Sequence, residues 1–258
     1  MHRLWPSEAV QPSDVDLHAH YGESWLDRGG VRANFIASID GAAAASGLSR
    51  GLQTPGDNRI FAVLRDLADV ILVGAGTAMK ERYDTPNPSP ERRARRQQLG
   101  LAEVPAVAVV SAGLSLDLSS PLFTDATPQA PTIVVTGSSS PLSRRTDISD
   151  LAAEKAVQLV DAGSTASGEV NLVNAVGELS ALGYRRILCE GGPTLFASAA
   201  GAGVIDELCL TVSPMLVGPA GPRIVAGAEW PSDLLPQLQL IGLLAEDDAL
   251  FCRYRVQR

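Results

Sequence analysis

Two stretches of this chain put glycines where an apolar run meets a polar turn. Val70-Ile71-Leu72-Val73 leads into Gly74-Ala75-Gly76-Thr77, and Ile187-Leu188-Cys189 leads into Glu190-Gly191-Gly192-Pro193-Thr194-Leu195. Glycine lets a phosphate or ribose come close to the backbone, and the start of a following helix offers N–H groups with no internal partner. Gly74-Ala75-Gly76 is not the full GxGxxG pattern, and each stretch alone also fits an ordinary strand-to-helix turn. Two of them in one chain fit a dinucleotide whose phosphates lie across helix N-termini. Thr77 can cap the helix that follows it, Pro193 suits a first helical turn, and Glu190 puts a carboxylate at a strand end.

Other residues offer weaker chemistry. Ala37-Ser38-Ile39-Asp40-Gly41 carries a second carboxylate at a strand end, although Asp-Gly is also a plain turn dipeptide. Ser111, after Val107–Val110, can reach a cofactor phosphate or simply cap a loop. There is no GxSxG elbow, no SxxK pair, and no P-loop; Lys80 and Lys155 are the only lysines. A site without a strong nucleophile suits chemistry that a cofactor performs, such as hydride transfer, where the protein orients and polarises. Cys189, Cys209 and Cys252 lie in separate apolar stretches with no CxxC, which predicts small core residues and no zinc or disulfide framework. His18 and His20 sit in a polar segment without HExxH and read as surface residues.

The elements that must position these residues follow from periodicity. Val31–Ile39 reads as a strand. Thr54-Pro55-Gly56-Asp57 opens a helix whose Ile60, Val63, Leu64 and Leu67 form a core-facing stripe. Val70–Val73, Ala106–Val110, Thr132–Thr136 and Val157–Val160 read as strands, with Gly113–Pro131 and Gly137–Pro141 as loops. Leu172 to Leu182 is an amphipathic helix stopped by Gly183; Arg186–Glu190 is a strand and Leu195–Ala202 a short helix. Glu207–Ser213 and Leu250–Val256 are strands with no helix between them, which predicts antiparallel additions. In the last, Phe251, Arg253 and Arg255 share one side. The expectation is a single α/β domain: a mixed, mostly parallel sheet flanked by helices. Residues 1–29, with Pro6 and Pro12, are expected to be an N-terminal extension on the surface, and 30–258 the functional domain.

Composition bounds the function. With 45% hydrophobic and 19% charged residues the chain of 258 residues can build a core, and its net charge of −8 argues against nucleic acid. The basic run Arg92-Arg93-Ala94-Arg95-Arg96 reads as the solvated face of a surface helix, or else as a contact for a partner or a cofactor phosphate. No apolar run reaches the roughly 20 residues of a membrane helix, and the start lacks a signal-peptide core, so the expected location is cytoplasmic, away from membranes.

Taken in order, several stretches resemble the reductase domain of riboflavin biosynthesis. They are Ala37–Gly41; Leu64-Arg65 with Ala68–Thr77; Ile187–Leu195; Gly203–Leu208; and Pro214-Met215-Leu216-Val217-Gly218. The resemblance covers Val31 to the C-terminus and implies a dihydrofolate-reductase-like fold, NADPH as cofactor and a homodimer. It implies reduction of 5-amino-6-(5-phosphoribosylamino)uracil to its ribityl form. The zinc-deaminase signature of the family's bifunctional members is missing, which implies a stand-alone reductase.

The resemblance also implies roles. Gly74, Gly76, Thr77, Glu81 and Ser111, together with Gly191, Gly192, Pro193, Thr194, Leu195 and Phe196, would hold NADPH. Ser49, Arg65 and Glu190 would meet the substrate; Asp40 would lie beside the reaction centre, either assisting protonation or shaping the strand end. Asp40 and Glu190 are thus the catalytic candidates. The 2′-phosphate candidates are Ser111, Ser138 and Arg144. One segment departs from the family. Where an Asp-Asp-Pro stretch with a Leu and an Arg is usual, this chain has Lys80-Glu81-Arg82-Tyr83-Asp84-Thr85-Pro86-Asn87-Pro88, with Glu81 in place of the first Asp. That departure motivates dihydrofolate or another pterin as an alternative substrate; a non-catalytic NADPH-binding protein is the other alternative.

Overall fold

The computed structural model describes residues 1–5, 15–219, 221–227, 230 and 235–257. The chain forms two compact units, residues 1–67 with 189–258, and residues 68–188. The second is inserted in the first; the crossing at 67/68 has no Pro/Gly-rich linker, and the one at 188/189 is followed by Gly191-Gly192-Pro193.

In the first unit β1 (His2–Trp5), α1 (Leu17–Gly22), α2 (Trp25–Arg28), β2 (Gly30–Ser38) and α3 (Pro55–Asp66) come first. Thr54 caps α3 by accepting the Asp57 amide at 3.2 Å, Pro55 takes the first position, and Ile60, Val63 and Leu64 are buried, as the spacing predicts.

The second unit runs through β3 (Val70–Gly74), α4 (Ala75–Lys80), α5 (Pro90–Gln98), β4 (Ala106–Val110), α6 (Pro121–Thr124), β5 (Thr132–Thr136), α7 (Leu142–Ala152), β6 (Val157–Asp161), α8 (Leu172–Ala181) and β7 (Arg186–Cys189). Its strand order is β7-β3-β4-β5-β6, and β3 to β6 pair in parallel. β3, β4 and β5 are short runs buried along nearly their whole length because both sheet faces are covered, whereas β6 exposes Gln158 and Asp161. Val73, Val109, Phe123, Val134 and Ile148 form its core. The expected loop 113–131 contains α6, with Leu122 and Phe123 fully buried.

The chain then returns to the first unit with α9 (Pro193–Gly201), β8 (Glu207–Ser213), β9 (Gln237–Glu246) and β10 (Ala249–Gln257). The order there is β1-β9-β10-β8-β2. β8 is parallel to β2, while β10 is antiparallel to both β8 and β9, which matches the antiparallel additions expected at the C-terminal end. The architecture is a mixed, mostly parallel sheet flanked by helices.

Three expectations need correction. Of the expected N-terminal extension, residues 6–14 lie outside the described residues, and part of the rest is built into the core rather than laid on the surface. Tyr21 and Trp25 are each 1% exposed, and the Trp25 indole donates to the Leu67 carbonyl at 3.1 Å. His20 is not a surface residue either: it is buried, and the space for its ring exists because residue 242 is glycine, where a Cβ would lie 2.9 Å from the imidazole. Arg96 is fully buried, not part of a solvated face; its guanidinium donates to the Ala68 and Ala102 carbonyls at 2.8 and 2.7 Å.

The first unit also buries an ionic cluster. Glu207 accepts from Arg32 (2.8 Å), Arg253 (3.1 Å) and Arg28 (2.6 Å), and the Arg32 guanidinium stacks 4.1 Å over the Trp25 ring. Burial pushes the Glu207 carboxyl up, but Arg32 and Arg253 more than offset this and leave it below its ordinary value.

Candidate cofactor and substrate site

In open α/β sheets, ligands bind beyond the carboxyl ends of the strands, so strand ends are where to look in each unit. In the first unit, Glu190-Gly191-Gly192 runs into α9. Gly191 has φ +82°, and a Cβ on it would lie 2.7 Å from the Phe35 ring. Phe35 in turn meets the Phe196 ring at 4.6 Å between centroids. The Gly191–Gly192 peptide is cis, and Gly192 is the N-cap of α9. Pro193 opens the helix, Thr194 is exposed, and Leu195 and Phe196 are buried. The Thr194 and Leu195 amides lie outside the helical hydrogen-bond ladder, so this end suits an anion.

Glu190 and Arg65, expected separately at the substrate, form one pair. Arg65 Nε donates to Oε1 and Nη2 to Oε2, both at 2.7 Å. The Arg65 guanidinium lies 4.3 Å over the Phe61 ring. The Glu190 side chain is 2% exposed and that of Arg65 is 24% exposed. A bidentate pair fixes the plane of the guanidinium, and its solvent-facing side can then meet an anionic ligand group in one orientation. Ser49 opens a single 3₁₀ turn, Ser49–Gly51, and is half-buried.

Asp40 is exposed at the end of β2. Its carboxylate accepts from the Ser38 hydroxyl and from the Gly218 and Val217 amides, at 2.7 and 3.2 Å for the amides. The Ser38 bond first, then those amides, hold its carboxyl below the ordinary value. A carboxylate in this setting accepts hydrogen bonds and stays ionised.

In the second unit, the expected cap is shifted. Gly74 is the N-cap of α4, and Thr77 lies within the helix, its carbonyl accepting the Glu81 amide at 2.8 Å. Gly76 is exposed, and a Cβ there would meet nothing within 4 Å. Glu81 ends α4 and is half-buried. Ser111 is buried after β4; its amide donates to the Val135 carbonyl (2.9 Å) and its carbonyl accepts from the Thr136 hydroxyl (2.7 Å). Of the other 2′-phosphate candidates, Ser138 is exposed and donates to Asp161 at 3.2 Å. Arg144 uses Nε and Nη2 on the Leu114 and Leu116 carbonyls and Nη1 on Asp147, so its fork is engaged by its own unit.

The cysteines are buried, as expected, and burial pushes the Cys189 thiol up to about 12, which removes it as a nucleophile. Among the described residues, no group of three or more His, Cys, Asp and Glu side chains could hold a metal ion, and no helix is long and apolar enough to cross a membrane. Sequence reasoning did not find Phe35 and Phe61, which support Gly191 and Arg65, or the bond of Asp40 to Gly218. The signal for the last in the sequence is the glycine at 218 itself, a residue suited to the positive φ (+94°) that the turn takes.

The fold and these strand-to-helix glycine turns define an α/β class whose ligand positions lie at strand ends. Within that class, a family model described as the RibD C-terminal domain matches residues 30–250, and the chain belongs to that family. A curated protein of Methanothermobacter thermautotrophicus, named 2,5-diamino-6-ribosylamino-4(3H)-pyrimidinone 5′-phosphate reductase, is 26% identical over 210 residues, 81% of this chain and 89% of that protein. A protein of the same name from Archaeoglobus fulgidus is 29% identical over 196 residues, 73% of this chain and 81% of its own. Among solved structures, a pyrimidine reductase-like protein from Corynebacterium diphtheriae superposes with a TM-score of 0.79 at 27% identity, covering 95% of this chain and all of that one.

Proposed function

We propose that this protein is an NADPH-dependent reductase of riboflavin biosynthesis that converts a ribosylaminopyrimidine 5′-phosphate into its ribityl form. NADPH, when bound, supplies a hydride to C1 of the ribosylamino group, and a proton completes the opening of the ribose. Gly74, Gly76, Thr77, Glu81, Ser111 and the Gly191–Phe196 segment are the cofactor-binding residues in this reading. The open space beside Gly76 and the exposed first turn of α9 suit the approach of such a group. Arg65, oriented by Glu190, meets the polar or phosphate end of the substrate, and Ser49 assists.

The observation that carries the reading is the Arg65–Glu190 pair, whose carboxylate immediately precedes the Gly191-Gly192 turn. A fixed cation and the N-terminus of α9 therefore flank the same turn, and both favour phosphate groups. In this reading the enzyme is cytoplasmic and acts as a homodimer.

The substrate has two forms to separate. The resemblance implies the 5-amino-uracil compound, whereas the two curated relatives are named for the 2,5-diamino-pyrimidinone. Following NADPH consumption with each phosphate, and with dihydrofolate, decides. We expect one or both ribosylamino phosphates to be consumed and dihydrofolate to be inert. Turnover of dihydrofolate alone would remove the riboflavin reading, and uptake of NADPH without turnover of any of the three would leave a binding protein.

A further inference from the structure

The stretch after β8 is tied down by bonds that the proposed chemistry does not use. The Ile39 amide donates to the Met215 carbonyl at 3.0 Å. Two residues further, the Asp40 carboxylate takes the Val217 amide, 3.2 Å from each of its oxygens, and the Gly218 amide at 2.7 Å. The Ser38 hydroxyl donates to the same carboxylate and accepts the Ala42 amide at 2.9 Å, so the carboxylate is itself held in place. The Ala43 amide donates to the Pro222 carbonyl at 2.6 Å. A Cβ on Gly221 would lie 2.3 Å from that of Ala42; glycine is what lets the two backbones meet. The stretch then reaches α9. The Ala226 amide donates to the Pro193 carbonyl at 3.3 Å, and a Cβ on Gly227 would meet that of Ala197 at 3.9 Å.

Residues 214–219 and 221–227 are thus fastened at one end to Asp40 and at the other to the first residue of α9. We propose that Asp40 is a positioning residue: its carboxylate clamps the turn at Val217-Gly218, and the stretch that follows sets the place of Pro193 at the cofactor-binding end of α9. This rests on the assignment of Gly191–Phe196 to the cofactor. Backbone amides are the natural partners of such a clamp, because a carboxylate accepts several N–H bonds at once without a matching side chain. A proton donor must carry the proton it gives, whereas every bond that fixes Asp40 here is one it accepts.

Amide hydrogen exchange on the whole chain, read together with the NADPH dissociation constant and steady-state kinetics, tests the clamp. Asp40→Ala should speed exchange at Val217 and Gly218 roughly tenfold or more, the scale of a lost charge-assisted bond, and should speed it at Ala226 as well. It should raise the NADPH dissociation constant roughly tenfold, while kcat at saturating cofactor changes less than roughly threefold. Gly221→Ala leaves Asp40 intact but forces the stretch away from Ala42, and should weaken NADPH binding in the same sense. Unchanged exchange at Ala226 in Asp40→Ala overturns the clamp. So does a collapse of kcat with exchange and affinity unchanged, which would give Asp40 a direct part in the reaction. If the wild type takes up no NADPH, the functional reading fails, and the exchange data alone still decide whether Asp40 holds the stretch.

Discussion

Gly76 and Gly191 each follow a buried strand and each precede or open a helix, yet they are glycine for opposite reasons. At Gly191 the backbone is left-handed, and a methyl group would strike the Phe35 ring 2.7 Å away. At Gly76 a methyl group would meet open space. The first glycine is required by packing within its own unit. Among the described residues no neighbour requires the second, and in the reading proposed above its role is to let the cofactor approach. The same letter in two similar motifs therefore makes different demands, and substitution separates folding from binding.

The comparison breaks most visibly at Gly191. Gly191→Ala combines overpacking with an unfavourable backbone and should cost about 2–4 kcal/mol, seen as a lower urea midpoint. An unchanged midpoint would erase the difference between the two turns.

The unit that encloses Gly191 should also show its burial in a pH titration. Burial first, then Arg253, lowers the His20 pKa from 6.5 to about 4. The unfolded chain then takes up a proton that the native state refuses. Stability is complete above about pH 6.5 and falls as the pH drops towards 4, by on the order of 3 kcal/mol. Thermal melts across this range should show that slope, and His20→Gln should flatten it. An equally steep slope in the variant would assign the effect elsewhere.

Glu190→Gln removes the charge from the half-open pair with Arg65. The expected cost is about 1–2 kcal/mol of stability, with NADPH binding kept and turnover lost. Full activity in this variant would take Glu190 out of the substrate site. Gly76→Ala should have the smallest structural effect, below about 0.5 kcal/mol. Its NADPH dissociation constant should nevertheless rise roughly tenfold, as measured by fluorescence titration. Unaltered affinity would mean that the open space at Gly76 is not where the cofactor approaches.

The strands and helices with strong periodicity were legible. The α3 stripe with its Thr54 cap, and the apolar runs of β3, β4 and β5, stand where spacing put them. The misses have physical causes. In α7 only Ile148 is buried, and in β9 only Gly242 and Leu244 are, so neither carries a clear apolar face. The buried charges were invisible because their partners are distant: 175 residues separate Arg32 from Glu207. Arg253 alone left a trace, sharing a strand face with buried Phe251. The site shows the same pattern. Glu190 and Arg65 stood out singly, but nothing local predicts their pairing across 125 residues.

The most direct test is isotopic. NADPH carrying deuterium at the transferable C4 position should be consumed one for one with the ribosylamino phosphate, and the ribityl product should carry a single deuterium at C1. A product without deuterium, or a protein that neither binds nor consumes this cofactor, would contradict the account.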